Sequence, residues 1–224
     1  PSFLAGVCSV EPLMTSISYQ IYSPVTWQKK STKKTHVTAS IPPNARSVLV
    51  LALVHPPEYP QLDWWDGRGT EGNRKLIRIS SDLKGWLSKN LSITAHSVPY
   101  HPEKGGVFLK EAAVLAGLGI IGRNNLLINP KFGPYVRLRA MFLETELFPT
   151  GPLTEFSPCE QCSAPCQEIC PQKSFGVGHY ERDKCVVQME MDRVRATDPE
   201  KGQLTDRVRY CRACERACPV GQKV

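Results

Sequence analysis

The sequence predicts an α+β protein in two parts: a mixed-sheet α/β module over residues 1–147 and a small cysteine-rich module over 148–224. Three observations predict this division. Residues 45–54, "ARSVLVLALV", and 72–91, "GNRKLIRISSDLKGWLSKNL", carry strand and helix patterns. Eight of the nine cysteines fall between Cys159 and Cys218. Between these regions, "FPTGPLTEFSPC" (148–159) is rich in proline and glycine and lacks periodicity, as a linker or wrapping segment would. At 41% hydrophobic residues, the chain can bury a proper core.

The elements follow in order. The opening "LAGVCSVEPL" is a short apolar stretch in which Cys8 reads as a small buried hydrophobe. The basic run "QKKSTKKTH" (residues 28–36) reads as a solvated loop. "ARSVLVLALV" is continuously apolar, as in a strand covered on both faces. "DWWDGRGTEGNRK" (63–75) offers Trp64 and Trp65 to stack on a planar ring and Arg68 to meet an anion, or else an aromatic loop at a protein interface. In the helix that follows, Leu76, Ile79, Leu83, Trp86 or Leu87, and Leu91 form one face. "ITAHSV" (93–98) is a short strand. "VPYHPEKGG" (98–106) groups Tyr100, His101, Glu103 and Lys104 as proton-donor candidates, or forms a solvated loop shaped by prolines. "GVFLKEAAVLAG" is a helix ended by Gly117, and "NLLIN" and "YVRLRAMFLE" are strands. Gly117, Gly119 and Gly122 match G-x-G-x-x-G, but they follow a helix and precede a strand. A dinucleotide fingerprint needs the reverse order, so the bland reading is a glycine-rich turn. His36, His55, His96 and His179 lack metal-site spacing and read as structural or surface residues.

The cysteines carry the chemistry. Disulfides suit small secreted domains, and nothing in these residues points to secretion. Zinc is the stronger competitor, because Cys-x2-Cys occurs at Cys159/Cys162 and Cys211/Cys214. Iron–sulfur fits best. Both groups end in Cys-x3-Cys-Pro, as in two-cluster ferredoxins, where the last cysteine of each run ligates the other cluster. One [4Fe–4S] cluster then takes Cys159, Cys162, Cys166 and Cys218. The second takes Cys170, Cys211, Cys214 and Cys185, the last from "ERDKCVVQ". Eight thiolates fill two sites. One departure from the bacterial run is the three-residue gap from Cys162 to Cys166, which contains Pro165.

The formal charge of +7 and pI near 9.0 invite a nucleic-acid reading. Two clusters of about −2 each would bring that charge to about +3. No apolar run of about 18 residues is present, and the N-terminal stretch lacks the basic region of a signal peptide. The expected location is therefore cytoplasmic, with no membrane partner.

The stretch "EAAVLAGLGIIGRNNLLINPKFGPYVRLRAMFLETEL", followed by both cysteine groups and Cys185, resembles the epoxyqueuosine reductase family, cobalamin-dependent enzymes related to the reductive dehalogenases. The resemblance covers most of the chain and is specific from Glu111 to Pro219. It implies a cobalamin-binding, nitroreductase-like domain beside a ferredoxin-like domain. It further implies corrinoid contacts from Gly117, Gly119, Gly122, Arg123, Asn124 and Asn125. The family has a proton-donating aspartate before the glycine loop's helix, whereas "PYHPEKGGVFLKEAA" has none. The family also continues into a helical-repeat region that helps hold transfer RNA. The expectation is a shorter paralogue with a changed target rather than a tRNA enzyme.

On this reading, ferredoxin or flavodoxin supplies electrons, which pass through two clusters to cobalamin for reduction of a substrate. The rival is a non-catalytic electron carrier that reactivates a separate corrinoid protein. An iron–sulfur flavoprotein ranks lower, because no flavin signature is visible.

Overall fold

The computed structural model describes residues 2–16, 41–100, 107–176 and 179–221. His36, His101, Glu103, Lys104 and the basic run at 29–34 lie outside them.

A four-stranded sheet organises the first part: β1 (Phe3–Ser9), β2 (Ser47–Val54), β3 (Ala95–Ser97) and β6 (Val136–Leu143), in the order β1-β2-β6-β3. Every pairing is antiparallel, so the sheet is not mixed as expected. The reason is topological. β2 and β3 run in the same direction and are joined through a helix, but β6 returns between them and pairs with both.

The continuous apolar pattern of β2 matches burial on both faces. Val48, Val50 and Ala52 join Ala140 and Phe142 on one face, packed against α3 (Leu109–Leu115). Leu51 and Leu53 join Met141 and Leu143 on the other, against α2 (Glu71–Leu91). Period-two alternation thus feeds two apolar clusters. Cys8 lies in the first of them, and burial pushes its thiol up to about 12.

Helix α2 begins where the Thr70 hydroxyl accepts the Asn73 N–H at 3.1 Å. Leu76 and Leu87 are buried, Ile79 and Leu83 partly so, while Trp86 and Leu91 are exposed. The predicted face holds up to Leu87. Leu91, 53% exposed, takes no part in the apolar cluster beneath that face. Helix α3 ends at Gly117 in a left-handed turn, with Gly117 N–H on Val114 and Leu118 N–H on Ala113.

The hairpin β4 (Ile120–Ile121) and β5 (Leu127–Ile128) follows. Segment 148–158 has no regular element and wraps the first part. Thr150 accepts the Val7 N–H at 2.8 Å and donates to the Ala116 carbonyl at 2.7 Å. Beyond it lie α4 (Pro165–Glu168), the small hairpin β7 (Phe175–Gly176) and β8 (His179–Tyr180), α5 (Arg182–Arg195) and α6 (Ala213–Arg216). A reciprocal backbone bridge between Trp65 and Val208, at 3.0 and 2.8 Å, joins this region to the sheet's flank. Among the described residues, no helix is long and apolar enough to cross a membrane.

Candidate functional site

Cys159, Cys162, Cys166 and Cys218 line one cavity, together with Arg123 and Asn124. Pro165 opens α4 and places Cys166 in its first turn, while Cys162 accepts the Ala164 N–H at 3.4 Å. The Pro165 insertion is absorbed by Ala164 in the left-handed region. Burial, and then the charges of the neighbouring thiolates, pushes Cys166 up; burial also raises Cys218, with Cys159 and Cys162 adding to it against a bond from the Val220 backbone. Gathering thiolates without cations is costly, and cationic iron would remove that cost.

Cys170, Cys185, Cys211 and Cys214 form the second group, each of the other three acting electrostatically on Cys214. Burial comes first and Glu215 next, and together with those thiolates they push Cys214 up to about 12. Burial also raises Cys170, but bonds from Ser174 and from the Gln172 and Lys173 backbone outweigh it and hold the thiol below its ordinary value. The Ser174 N–H lies 3.3 Å from its sulfur. Cys185 sits on α5 and hydrogen-bonds Tyr180, whose hydroxyl is pushed up by burial and then by this thiol. Cys211 is exposed. Among the described residues, no three His, Cys, Asp or Glu side chains converge tightly enough for a single metal ion. The thiols of the first group ring a cavity rather than a point.

The glycine loop touches both groups. Arg123 donates to the Cys162 carbonyl at 2.8 Å, and Asn124 donates to the Cys214 carbonyl at 3.4 Å. Asn125 takes the left-handed conformation, and its carbonyl accepts Lys110 Nζ at 2.5 Å. Gly119 has φ +155°, and a Cβ there would stand 2.2 Å from the Ile128 carbonyl. Gly117 meets Thr150 and Gly151 backbone, and Gly122 meets the Ile128 side chain. The space beside all three glycines is therefore filled by the chain itself. Arg123 and Asn124 of the same loop face the first thiol cavity.

A cleft of about 520 Å³ is lined by Trp64, Arg209, Tyr210, Cys211 and Arg212, within the usual range for ligand pockets of about 300–1,000 Å³. Arg209 lies over the Trp64 ring at 4.7 Å, and Trp65 stands 6.2 Å from Tyr210. Arg68 is exposed, its N–H on Asp66 Oδ1 at 3.1 Å. Tyr100 is 51% exposed and carries the Arg139 guanidinium over its ring at 4.8 Å.

Sequence reasoning missed a buried ionic network behind this cleft. The Asp63 side chain, 6% exposed, accepts from both Arg137 and Arg212, with Arg137 Nε at 3.1 Å. Arg212 also donates to Glu215 at 2.8 Å. His55, equally buried, sets its Nδ1 between Asp63 and Arg212. Burial raises the Asp63 pKa, but the His55 bond and the charges of His55, Arg212 and Arg137 prevail and hold it below the usual carboxylate range. Arg212 lies between Cys211 and Cys214 in sequence, so the network ties the sheet's end to the second thiol group. No local pattern announces it. The only hint was an acid, Asp63, among apolar neighbours.

No family model matches the chain. Curated relatives do. It is 37% identical over 116 residues to the epoxyqueuosine reductase of Pseudomonas aeruginosa, covering 50% of this chain and 31% of that one. It is 28% identical over 191 residues to that of Staphylococcus aureus, covering 79% of this chain and 48% of that one. The tetrachloroethene reductive dehalogenase of Sulfurospirillum multivorans is 34% identical over 120 residues, covering 48% of this chain and 22% of that one. The chain thus spans about half or less of the length of these relatives. An epoxyqueuosine reductase solved with an epoxyqueuosine-modified tRNA stem loop superposes at TM-score 0.66 and 17% identity, over 98% of this chain and 61% of that one. A reductive dehalogenase described for B12-dependent dehalogenation superposes at 0.63 and 18%, over 98% of this chain and 30% of that one. The chain is thus similar in sequence to epoxyqueuosine reductases and reductive dehalogenases over part of its length, and similar in fold to solved members of both over nearly all of it.

Proposed function

We propose that the protein is an iron–sulfur, corrinoid-dependent reductase. Its eight thiols would hold two [4Fe–4S] clusters, and its cleft beside Cys211 would receive the corrinoid. The observation that carries this reading is the sorting of the thiols into two groups of four, with Cys211 of the second lining a cleft of about 520 Å³. Bound there, the clusters supply one-electron transfer and the corrinoid supplies low-potential cobalt chemistry.

The chain's own residues have definable tasks. Backbone N–H groups from Ala164 and Ser174 point at cysteine sulfurs and would stabilise the thiolates. Arg123 and Asn124 clamp carbonyls on either side of the thiol groups and fix their spacing. Trp64 and Tyr210 present aromatic faces to a planar macrocycle, and Arg209 presents a charge to its polar substituents. Tyr100, with Arg139 over its ring, is the described proton-donor candidate, and His101, Glu103 and Lys104 complete that set. A ferredoxin or flavodoxin would be the electron source. The cleft favours an enzyme over a carrier, since a carrier needs none.

Anaerobic reconstitution should yield about eight irons and eight sulfides per chain. Cobalamin should then bind saturably, with a visible spectral change that weakens in Trp64→Ala. Two zincs without sulfide would remove the reading. Clusters without cobalamin binding would transfer it to the electron carrier.

A further inference from the structure

The buried network behind the cleft has a charge balance with a free variable. Asp63 and Glu215 oppose Arg137 and Arg212, and these four charges cancel. His55 therefore decides the sum: zero when neutral and +1 when protonated. Its Nδ1 lies 3.2 Å from Asp63 Oδ2 and 3.0 Å from Arg212 Nη2. These neighbours make opposite demands. A guanidinium can only donate, so the Arg212 bond needs Nδ1 bare and the proton on Nε2. A carboxylate can only accept, so the Asp63 bond needs the proton on Nδ1. Proton uptake exchanges the first bond for the second with little movement of heavy atoms.

The groups that face His55 come from three places. Asp63 closes the single 3-10 turn after β2. Tyr135 stands edge-on at 6.4 Å, with Arg137 following it into β6. Arg212 and Glu215 come from α6 and its approach, with Glu215 Oε1 at 3.8 Å. The last two residues are chain neighbours of Cys211 and Cys214. Glu215 acts on the Cys214 thiol and stands 3.8 Å from His55, so a charge change at the second thiol group is felt by the network.

We propose that His55 is a redox-linked proton site. When the cluster of the second thiol group gains an electron, His55 gains a proton at Nδ1; reoxidation releases both. This rests on the reductase reading. The balance is one electron from the external donor and one proton from water, with no bond made to iron. The site holds a proton next to the cleft, where a reduced substrate would consume one.

The test is a redox titration of the anaerobic holoprotein, followed by electron paramagnetic resonance across neutral pH. One cluster's reduction equilibrium should change about tenfold per pH unit, 59 mV for a one-electron couple, its potential falling as pH rises. The other cluster should stay flat. His55→Asn should remove the slope while iron and sulfide content is kept, because an amide can donate to Asp63 and accept from Arg212 at once without titrating. Redox-difference infrared spectra of wild type labelled with 15N-histidine should show imidazole becoming imidazolium on reduction, independently of any variant. Potentials that do not move with pH, a slope that survives His55→Asn, or no histidine signal would each overturn the proposal while leaving the clusters in place. Absence of sulfide before the titration would instead overturn the parent reading, and the proposal with it.

Discussion

The two thiol groups use one residue type at nearly one spacing, yet they live in different surroundings. The first is insulated. Cys166 and Cys218 are buried, and the cavity walls include Ile128, Pro158, Ala164 and Val220. Its tethers to the sheet are neutral carbonyls taking bonds from Arg123 and the packed backbone of the glycine loops. The second is electrically busy. Cys211 is exposed, its N–H is held by the Asp192 carboxylate at 2.7 Å, and Arg212 and Glu215 flank its neighbours. Cluster potentials respond to local charge, hydrogen bonds to sulfur and solvent exposure. On the reductase reading, the same set of four thiols would therefore serve two tasks: one site sheltered and constant, the other coupled to its environment.

The largest expected effect separates the groups outright. Cys218→Ser should cost about four of about eight irons and leave the second cluster's signal intact, and Cys185→Ser should do the reverse. Iron and sulfide analysis with electron paramagnetic resonance checks both. Loss of both clusters in either variant, or of neither, would break the division into two independent sites.

Asp63→Asn comes next. It leaves the half-buried Arg137 without its carboxylate and the buried Arg212 with Glu215 alone, a loss below the roughly 3–5 kcal/mol of a fully uncompensated buried charge. For a chain of this size, that is roughly 2–4 °C in Tm for each kcal/mol. Because the folded pKa of Asp63 is depressed, its contribution is fully present above the ordinary carboxylate range. That contribution is lost as pH falls through the folded value. Denaturant midpoints of wild type should therefore drop on acidification more steeply than those of Asp63→Asn. The second cluster should be lost before the first during this unfolding. Equal acid sensitivity in the two proteins would mean that the network contributes nothing to the joint.

What the sequence made legible follows from how local each constraint is. That Cys159, Cys162 and Cys166 lie together was legible from their short spacing, while their neighbour Cys218 comes from far along the chain. The face of α2 could be read from periodicity as far as Leu87, but periodicity does not show how far the apolar cluster beneath it extends, so Leu91 was misplaced. The antiparallel insertion of β6 between β2 and β3 is a long-range pairing that no local pattern encodes. The glycine loop was visible as glycines, but the backbone they approach was not. The ionic network gathers positions 55, 63, 137, 212 and 215, each ordinary in its own stretch.

The smallest effect, Gly133→Ala, sharpens the contrast from the other side. Gly133 has φ +57°, and a Cβ there would stand 1.9 Å from the Val220 carbonyl. Val220 follows Cys218 by two residues, so relieving that clash moves the end of the strand of chain that closes the first site. The left-handed conformation alone disfavours alanine, and such local strain costs about 1–3 kcal/mol. The sheet side of the contact is pinned by reciprocal bonds between Gly133 and Asn129 at 2.8 Å, so the Val220 side has to give. The expected outcome is a modest loss of stability with faster oxidative loss of the first cluster, the second cluster's potential and its pH response staying as in wild type. A change confined to the second cluster would mean that the two sites are mechanically joined through the glycine loops, and that the insulation of the first is only electrostatic.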